Sequence, residues 1–326
     1  MGGCVDKKVK IAFLFPGQGS QFVGMGREFY ETSLESKKLF DKAGEILGFN
    51  IADLCFNGPD EKLMLTENAQ PALLVHSIIA LNMLRENGIN ATIAAGHSLG
   101  EYSANVAAGS IQFLDAVRLV RLRGRFMQEA VSVGVGSMAA VIGMSLDNVR
   151  LLCDRVSKKD FLVQPANINS HEQIVVTGHL KAVEEVSRLA KEEGAKKSVM
   201  LPVSAPFHCP LMKPAEINLE KELEKIKFVD HQYPVVSNIQ ARPLTTGSSA
   251  CKALIRQVCS PVRWAETMQY LIDQEIDVAI ELGTGRVLSG LMRRFNKNIR
   301  CFQVGDPESL KTTVEASENL IKSKNN

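Results

Sequence analysis

Gly96-His97-Ser98-Leu99-Gly100 decides how this chain is read. The motif is G-x-S-x-G, and it stands between an apolar run at 92–95, predicted to be a strand ending at Gly96, and a helical pattern over 98–107. A serine at a strand-to-helix joint matches a nucleophile elbow, where the serine holds a strained backbone conformation and small neighbours relieve the crowding of the turn. The turn leaves Oγ at a helix N-terminus, whose free N–H groups favour developing negative charge. Read alone, the same residues also describe a Gly-Ser turn with Ser98 as a helix cap.

A serine hydroxyl needs a base to remove its proton. Among the six histidines, His97 lies inside the motif and packs beside the turn, and His76 lies on a buried helix. His171, His179 and His231 sit in polar, loop-like or strand-edge contexts. His208 differs: it lies in Ser204-Ala205-Pro206-Phe207-His208-Cys209-Pro210, a loop between prolines that can present a side chain to a neighbouring site. No acid between Ser98 and His208 stands out as a third member, since Asp147, Asp154 and Asp160 fall in what reads as an insertion. A Ser-His dyad is expected, with a backbone carbonyl or an amide orienting the imidazole.

Further upstream, Phe15-Pro16-Gly17-Gln18-Gly19-Ser20-Gln21 is a tight glycine loop after an apolar strand at 10–15. It fails the dinucleotide fingerprint, because Phe22 stands where the third glycine belongs, and the P-loop, because Met25 follows Gly24 where lysine is required. Such a loop is either a plain strand-to-helix connection or a source of backbone N–H groups for an oxyanion. Donors from Gln18 and Leu99 would form an oxyanion hole worth about 3 kcal/mol each.

The rest of the chain frames these segments. Strands are predicted at 278–282 and 300–304, and helices at 71–84, 115–130 and 287–295. The middle reads differently: strands at 137–142, 161–166, 173–177 and 199–203, with helices at 146–156 and 180–193, the first capped by Ser145. That β-α-β-β-α-β order is the split βαβ or ferredoxin-like pattern. The expected architecture is α/β, with core segments 8–132 and 204–310, an inserted subdomain at 133–203, and a C-terminal helix or tail at 311–326.

Composition narrows the function class. Hydrophobic residues make up 45% and charged residues 23% of 326 residues, and the net charge of +2 shows no basic stripe of the kind that nucleic acid selects. No segment approaches the ~20 apolar residues a bilayer span needs, and Asp6 spoils the myristoylation pattern of the Met1-Gly2 start. The seven cysteines form no C-x-x-C pair, and there is no H-E-x-x-H, so neither a disulfide frame nor a metal cofactor is expected. No nucleic acid or membrane partner is expected, and a cytoplasmic or organelle-matrix monomer is the default.

Taken in order, the motifs resemble one family: the malonyl-CoA:acyl carrier protein transacylases of fatty acid synthesis, with the related acyltransferase domains of polyketide synthases. The resemblance covers Phe15 to Gln21 and Gly96-His-Ser-Leu-Gly-Glu-Tyr102, then Arg123-Gly-Arg-Phe-Met-Gln128, Pro165-Ala-Asn-Ile-Asn169 and Phe207-His208. It closes with Ser260-Pro-Val-Arg-Trp264 and Glu281-Leu-Gly-Thr-Gly-Arg-Val-Leu288. It implies an α/β-hydrolase-like core with a parallel sheet and a ferredoxin-like insertion. It further implies an acyl-Ser98 intermediate, His208 as base, Gln18 and Leu99 as oxyanion donors, and the Gln257 main-chain carbonyl as the group that orients the histidine.

By the same resemblance Arg123 holds the malonyl carboxylate, a role that suits the bidentate fork of a guanidinium. By itself, Arg123 among Arg118, Arg121 and Arg125 reads as part of a solvated helix face. Phe207 resembles the malonyl-selective form of its motif, and Thr284 and His171 depart from prolines common in the family. Malonyl-CoA is then a substrate, with no further cofactor, and acyl carrier protein is the partner, with Lys196 and Lys197 as basic candidates for its contact. A serine esterase, or a binding module without turnover, are the alternatives.

Overall fold

The structure is a computed structural model and describes residues 9–203 and 205–325. The Met1-Gly2 start, Cys4, Asp6 and Lys8 fall outside them, as do Ser204 at the head of the histidine loop and Asn326. Strands are numbered along the chain: β1 (Ile11–Phe15), β2 (Ile93–Gly96), β3 (Gly136–Ile142), β4 (Val163–Ser170), β5 (Gln173–His179), β6 (Lys197–Met200), β7 (Val235–Val236), β8 (Pro243–Leu244), β9 (Val278–Leu282) and β10 (Arg300–Val304).

β1 is apolar and buried at every position, which is the mark of a strand covered on both faces. It sits inside a sheet of order β10-β9-β1-β2-β7-β8, in which all pairs are parallel except β7 with β8. Alternation along β1 divides the core. Phe13 and Phe15 pack with Leu74 and Val117 from helices Thr66–Glu86 and Phe113–Glu129. Ala12 and Leu14 face the opposite way, onto Trp264, Met268 and Leu271 of helix Trp264–Asp273. Each large apolar side chain so buried contributes about 1.5–3 kcal/mol.

The middle of the chain forms a second, wholly antiparallel sheet of order β4-β5-β3-β6. Helices Leu146–Val156 and Leu180–Glu192 share one apolar cluster with this sheet, joining Val149 and Val186 to Val141 and Ile174. Met138, Ala166 and Val175 belong instead to the larger core cluster. Strand β4 is stitched to the segment that precedes helix Trp264–Asp273 by backbone hydrogen bonds, from Ile168 N–H to the Val262 carbonyl (2.9 Å) and from Val262 N–H to the Ala166 carbonyl (2.7 Å).

Strands β4 and β6 differ most from expectation, and β5 runs two residues further, to His179. β4 runs on to Ser170 because bulges at Pro165/Asn167 and Ile168/Ser170 absorb the proline and let the polar residues continue the ladder. β6 begins at Lys197 and leaves the ladder after Met200, because Pro202 has no N–H to donate. The C-terminal segment is one helix, Pro307–Asn325. Among the described residues no helix is long and apolar enough to cross a membrane.

The joint between β2 and helix Gly100–Ala107 closes so tightly that side chains are excluded. A Cβ on Gly96 would lie 1.9 Å from the Gly100 carbonyl, and one on Gly100 would lie 2.0 Å from the Phe15 oxygen. Gly96→Ala is therefore expected to cost about 3 kcal/mol or more. Gly290→Ala, in helix Val287–Phe295 where a Cβ meets nothing within 4 Å, should be neutral or stabilising by up to about 1 kcal/mol. Urea unfolding of the two variants checks the contrast; equal midpoints would show that the turn relaxes freely.

Candidate active site

Ser98 has φ 51°, in the left-handed region that a side chain adopts only under constraint. Such a conformation costs about 1–3 kcal/mol and has to be held from outside. Asn238, just past β7, does part of this: its Oδ1 accepts from Ser98 N–H at 2.7 Å, while its Nδ2 donates to the Gly96 carbonyl at 2.6 Å. Gln257 Nε2 donates to the Ser98 carbonyl at 2.9 Å. The elbow is thus gripped on both sides of its strained residue.

His208 also has positive φ, 63°, and this turn brings its imidazole inward from the proline-flanked loop. Its Nε2 lies 2.8 Å from Ser98 Oγ, and its Nδ1 lies 2.9 Å from the Gln257 main-chain carbonyl. A carbonyl oxygen only accepts, so it holds the proton on Nδ1 and leaves Nε2 free to accept from the serine. The expectation of a loop histidine oriented by a backbone carbonyl, with no carboxylate on the ring, matches this geometry. Burial, and next the charge of Arg123, push the His208 pKa down to about 3. The imidazole is neutral at physiological pH, the form a general base requires.

Arg123 is the buried exception on its helix. Arg118 and Arg125 are half exposed and face Glu222 and Glu129, and Arg121 reaches Glu67. Arg123 as a whole is only 2% accessible. Its Nη1 donates to Gln70 Oε1 at 2.8 Å, and its Nη2 donates to Gln257 Oε1 at 2.9 Å and to Ser98 Oγ at 3.1 Å. The face of Tyr102 lies 5.5 Å away. Reading this side chain as a solvated charge is overturned by the structure; it lines the same cavity as Ser98 and His208.

That cavity, of about 280 Å³, is also bounded by Gln18, Leu99, Met138, Leu201 and Phe207. The backbone N–H groups of Gln18 and Leu99 have no acceptor among the described residues, as oxyanion donors require. The glycine loop that carries Gln18 is pinned by Ser20 Oγ on the Gly17 carbonyl (3.0 Å) and by Thr284 Oγ1 on the Ser20 carbonyl. Thr284, in place of the expected proline, therefore ties two loops together. His171 is exposed and rests against Phe295 at 5.4 Å, away from the cavity. His97 packs edge-on to Trp264 and bonds Asn169 Oδ1 at 2.9 Å, which fixes the elbow against β4.

Asn238, Gln70 and Glu101 were not singled out from the sequence. Asn238 follows the apolar pair Val235-Val236 at the C-terminal end of a parallel strand, the position where open α/β sheets build their sites, and that was its only signal.

The chain belongs to the family of acyl transferase domains, whose model matches residues 12–300. It is 48% identical over 306 residues to the malonyl CoA-acyl carrier protein transacylase of Bacillus subtilis strain 168, covering 94% of this chain and 96% of that one. The enzyme of the same name from Escherichia coli K12 is 41% identical, covering 94% and 99%. The solved Clostridium perfringens malonyl CoA-acyl carrier protein transacylase superimposes with a TM-score of 0.93 at 39% identity, covering 98% and 100%. A type II polyketide acyl-carrier protein in complex with its malonyl-transacylase gives 0.91 at 40% identity, covering 94% and 99%. Within the acyl transferase family the chain therefore stands with the malonyl CoA-acyl carrier protein transacylases.

The effect of Arg123 on the base can be measured directly. In the free protein the His208 ring, followed by nitrogen NMR, should stay neutral down to about pH 5. Arg123→Gln should raise its pKa, because removing a neighbouring cation lessens the cost of imidazolium. An unchanged or lowered value would show that the two groups do not communicate.

Proposed function

We propose that this chain transfers the malonyl group of malonyl-CoA to the phosphopantetheine thiol of acyl carrier protein, through an ester on Ser98. The observation that carries the reading is the meeting of Ser98 Oγ, His208 Nε2 and the Arg123 guanidinium in one small cavity. At about 280 Å³ it lies at the lower end of small-molecule pockets. It suits a short acyl group and the end of a thioester arm, with the nucleotide of CoA left outside.

His208 Nε2 takes the Ser98 proton as Oγ attacks the thioester carbonyl. The developing oxyanion is received by the N–H groups of Gln18 and Leu99. Collapse breaks the C–S bond, and the proton on Nε2 passes to the departing CoA thiolate. The carrier-protein thiol then gives its proton to the same nitrogen and attacks malonyl-Ser98, and Nε2 returns the proton to Oγ as the acyl–Oγ bond breaks and the serine leaves. The malonyl carboxylate lies against Arg123, replacing the hydroxyl as a guanidinium partner. Phe207 on the cavity wall supports a preference for an unbranched acyl group.

An esterase is the second reading. The atom facing His208 Nδ1 is the Gln257 carbonyl, where a Ser-His-acid hydrolase places a carboxylate, and this favours transfer. The strand order of the smaller sheet and its two covering helices support the ferredoxin-like description of 133–203, and the parallel sheet supports a hydrolase-like core over 8–132 and 204–310. Residues 311–326 then form a C-terminal appendage. A monomer is proposed as the working unit. The free thiols of Cys55, Cys153, Cys209, Cys251, Cys259 and Cys301 support a reducing, cytoplasmic setting. Exposed Lys196 and Lys197, at the head of the strand that leads into Leu201 on the cavity wall, are proposed contacts for the carrier protein.

Ser98→Ala should abolish labelling of the protein by radioactive malonyl-CoA and lower turnover by at least about 10,000-fold; persistent labelling would contradict the mechanism. Arg123→Ala should lower malonyl transfer about 1,000-fold and change acetyl transfer by less than about 10-fold, as measured by the two kcat/KM values. Equal losses would remove the carboxylate-binding role.

A further inference from the structure

Glu101, in the first turn after the elbow, is fully buried and takes no part in the steps above. A carboxylate in such a place is costly unless charge and hydrogen bonds compensate it. Its Oε2 accepts from Gln257 Nε2 at 2.6 Å and from Asn238 N–H at 3.2 Å, while Oε1 has no hydrogen-bond partner among the described residues. The other buried charge nearby is Arg123, and no ion pair joins the two directly. What lies between them is the side-chain amide of Gln257: Arg123 Nη2 donates to its Oε1 at 2.9 Å, and its Nε2 donates to Glu101.

A guanidinium only donates and a carboxylate only accepts, so the amide has one orientation that satisfies both. In that orientation the same Nε2 also reaches the Ser98 carbonyl at 2.9 Å and Asn238 Oδ1 at 3.3 Å. The main-chain oxygen of the same residue holds His208. Gln257 is therefore the common support of the nucleophile, the base and the guanidinium, and Glu101 is the group that sets which way its amide faces. Hydrogen bonds in series between opposite charges polarise one another and stiffen the whole chain.

We propose that Glu101 is a positioning residue for substrate selection: acting through the Gln257 side chain, it fixes the Arg123 guanidinium at Ser98 so that an acyl group ending in a carboxylate is chosen. This rests on the transfer reading above. Burial raises the Glu101 pKa to about 7, with the bonds from Gln257 and Asn238 and the charge of Arg123 opposing the rise, so the carboxylate predominates above about pH 7 and gives way to the acid below it. The Gln257 side chain does the relaying and also holds the Ser98 carbonyl, while its main chain holds the histidine, so the relay is separable from the histidine contact by mutation.

The test compares wild type, Glu101→Gln, Gln257→Ala and the double variant in malonyl and acetyl transfer. Glu101→Gln keeps the shape and should lower malonyl kcat/KM about 30-fold, with acetyl falling no more than about 3-fold. Gln257→Ala keeps the main-chain carbonyl but loses the bond to the Ser98 carbonyl, so both transfers should fall, malonyl transfer about 30-fold further than acetyl. In the Gln257→Ala background, Glu101→Gln should cost less than a further factor of about 3. Equal loss for both substrates, or losses that multiply in the double variant, would overturn the proposal. Should Glu101→Gln fail to fold, wild-type selectivity in Gln257→Ala alone would do the same. Restricted Arg123 Nη rotation in the unliganded protein, followed by NMR, should become free in either variant. That readout needs no substrate, so a wild type inert toward malonyl-CoA would sink the transfer reading while leaving this relay to stand or fall on its own.

Discussion

A guanidinium cut off from water, 3.1 Å from a serine hydroxyl, is the constraint on which the site depends. Burying Arg123 carries a desolvation cost that a single neutral partner does not offset. The fold answers with amide oxygens from Gln70 and Gln257 and with the face of Tyr102, and it places the balancing carboxylate of Glu101 one amide further away. None of these partners neutralises the guanidinium by direct contact. A charge left in this condition, at the mouth of a nucleophile, has most to gain from an acyl group that brings its own carboxylate.

The same cation acts on the base. It lies close enough to add to the burial that keeps His208 neutral. An imidazole so depressed is a modest proton acceptor until the cation is paired. In the proposed reaction, a carboxylate arriving at Arg123 removes part of that depression when the Ser98 proton has to leave. The proposed reaction thereby links substrate recognition and base strength through one side chain, a coupling that follows from Coulomb's law at short range. A carbonyl on Nδ1 stabilises imidazolium less than a carboxylate does, which suits the proposed ester that must wait for a thiol.

Much of this was legible in the sequence because local rules govern it. The elbow is written as glycines flanking a serine at a strand-to-helix joint, and Gly96 and Gly100 sit where a methyl group would strike backbone atoms. The buried run of β1 and the two-by-two alternation of strands and helices in the middle of the chain obey periods of 2 and 3.6. What stayed hidden is what obeys no period. The helices Leu34–Leu47 and Gly247–Gln257 carry mixed faces between loops and were not anticipated, and β7 is only two residues long. Asn238, Gln257 and Glu101 meet across separations of 19 to 156 residues, and nothing near each of them announces the others. Arg123 looked solvated because its neighbours on the helix are; only the packing of Phe113–Glu129 against Thr66–Glu86 turns it inward.

The account is tested most directly by determining the crystal structure of the protein after reaction with malonyl-CoA in the absence of carrier protein. It predicts an ester on Ser98 Oγ, with the terminal carboxylate on the Arg123 guanidinium and His208 Nδ1 still on the Gln257 carbonyl. A malonyl group on any other atom, or one on Ser98 whose carboxylate points to solvent while Arg123 stays on the hydroxyl oxygen, would contradict it.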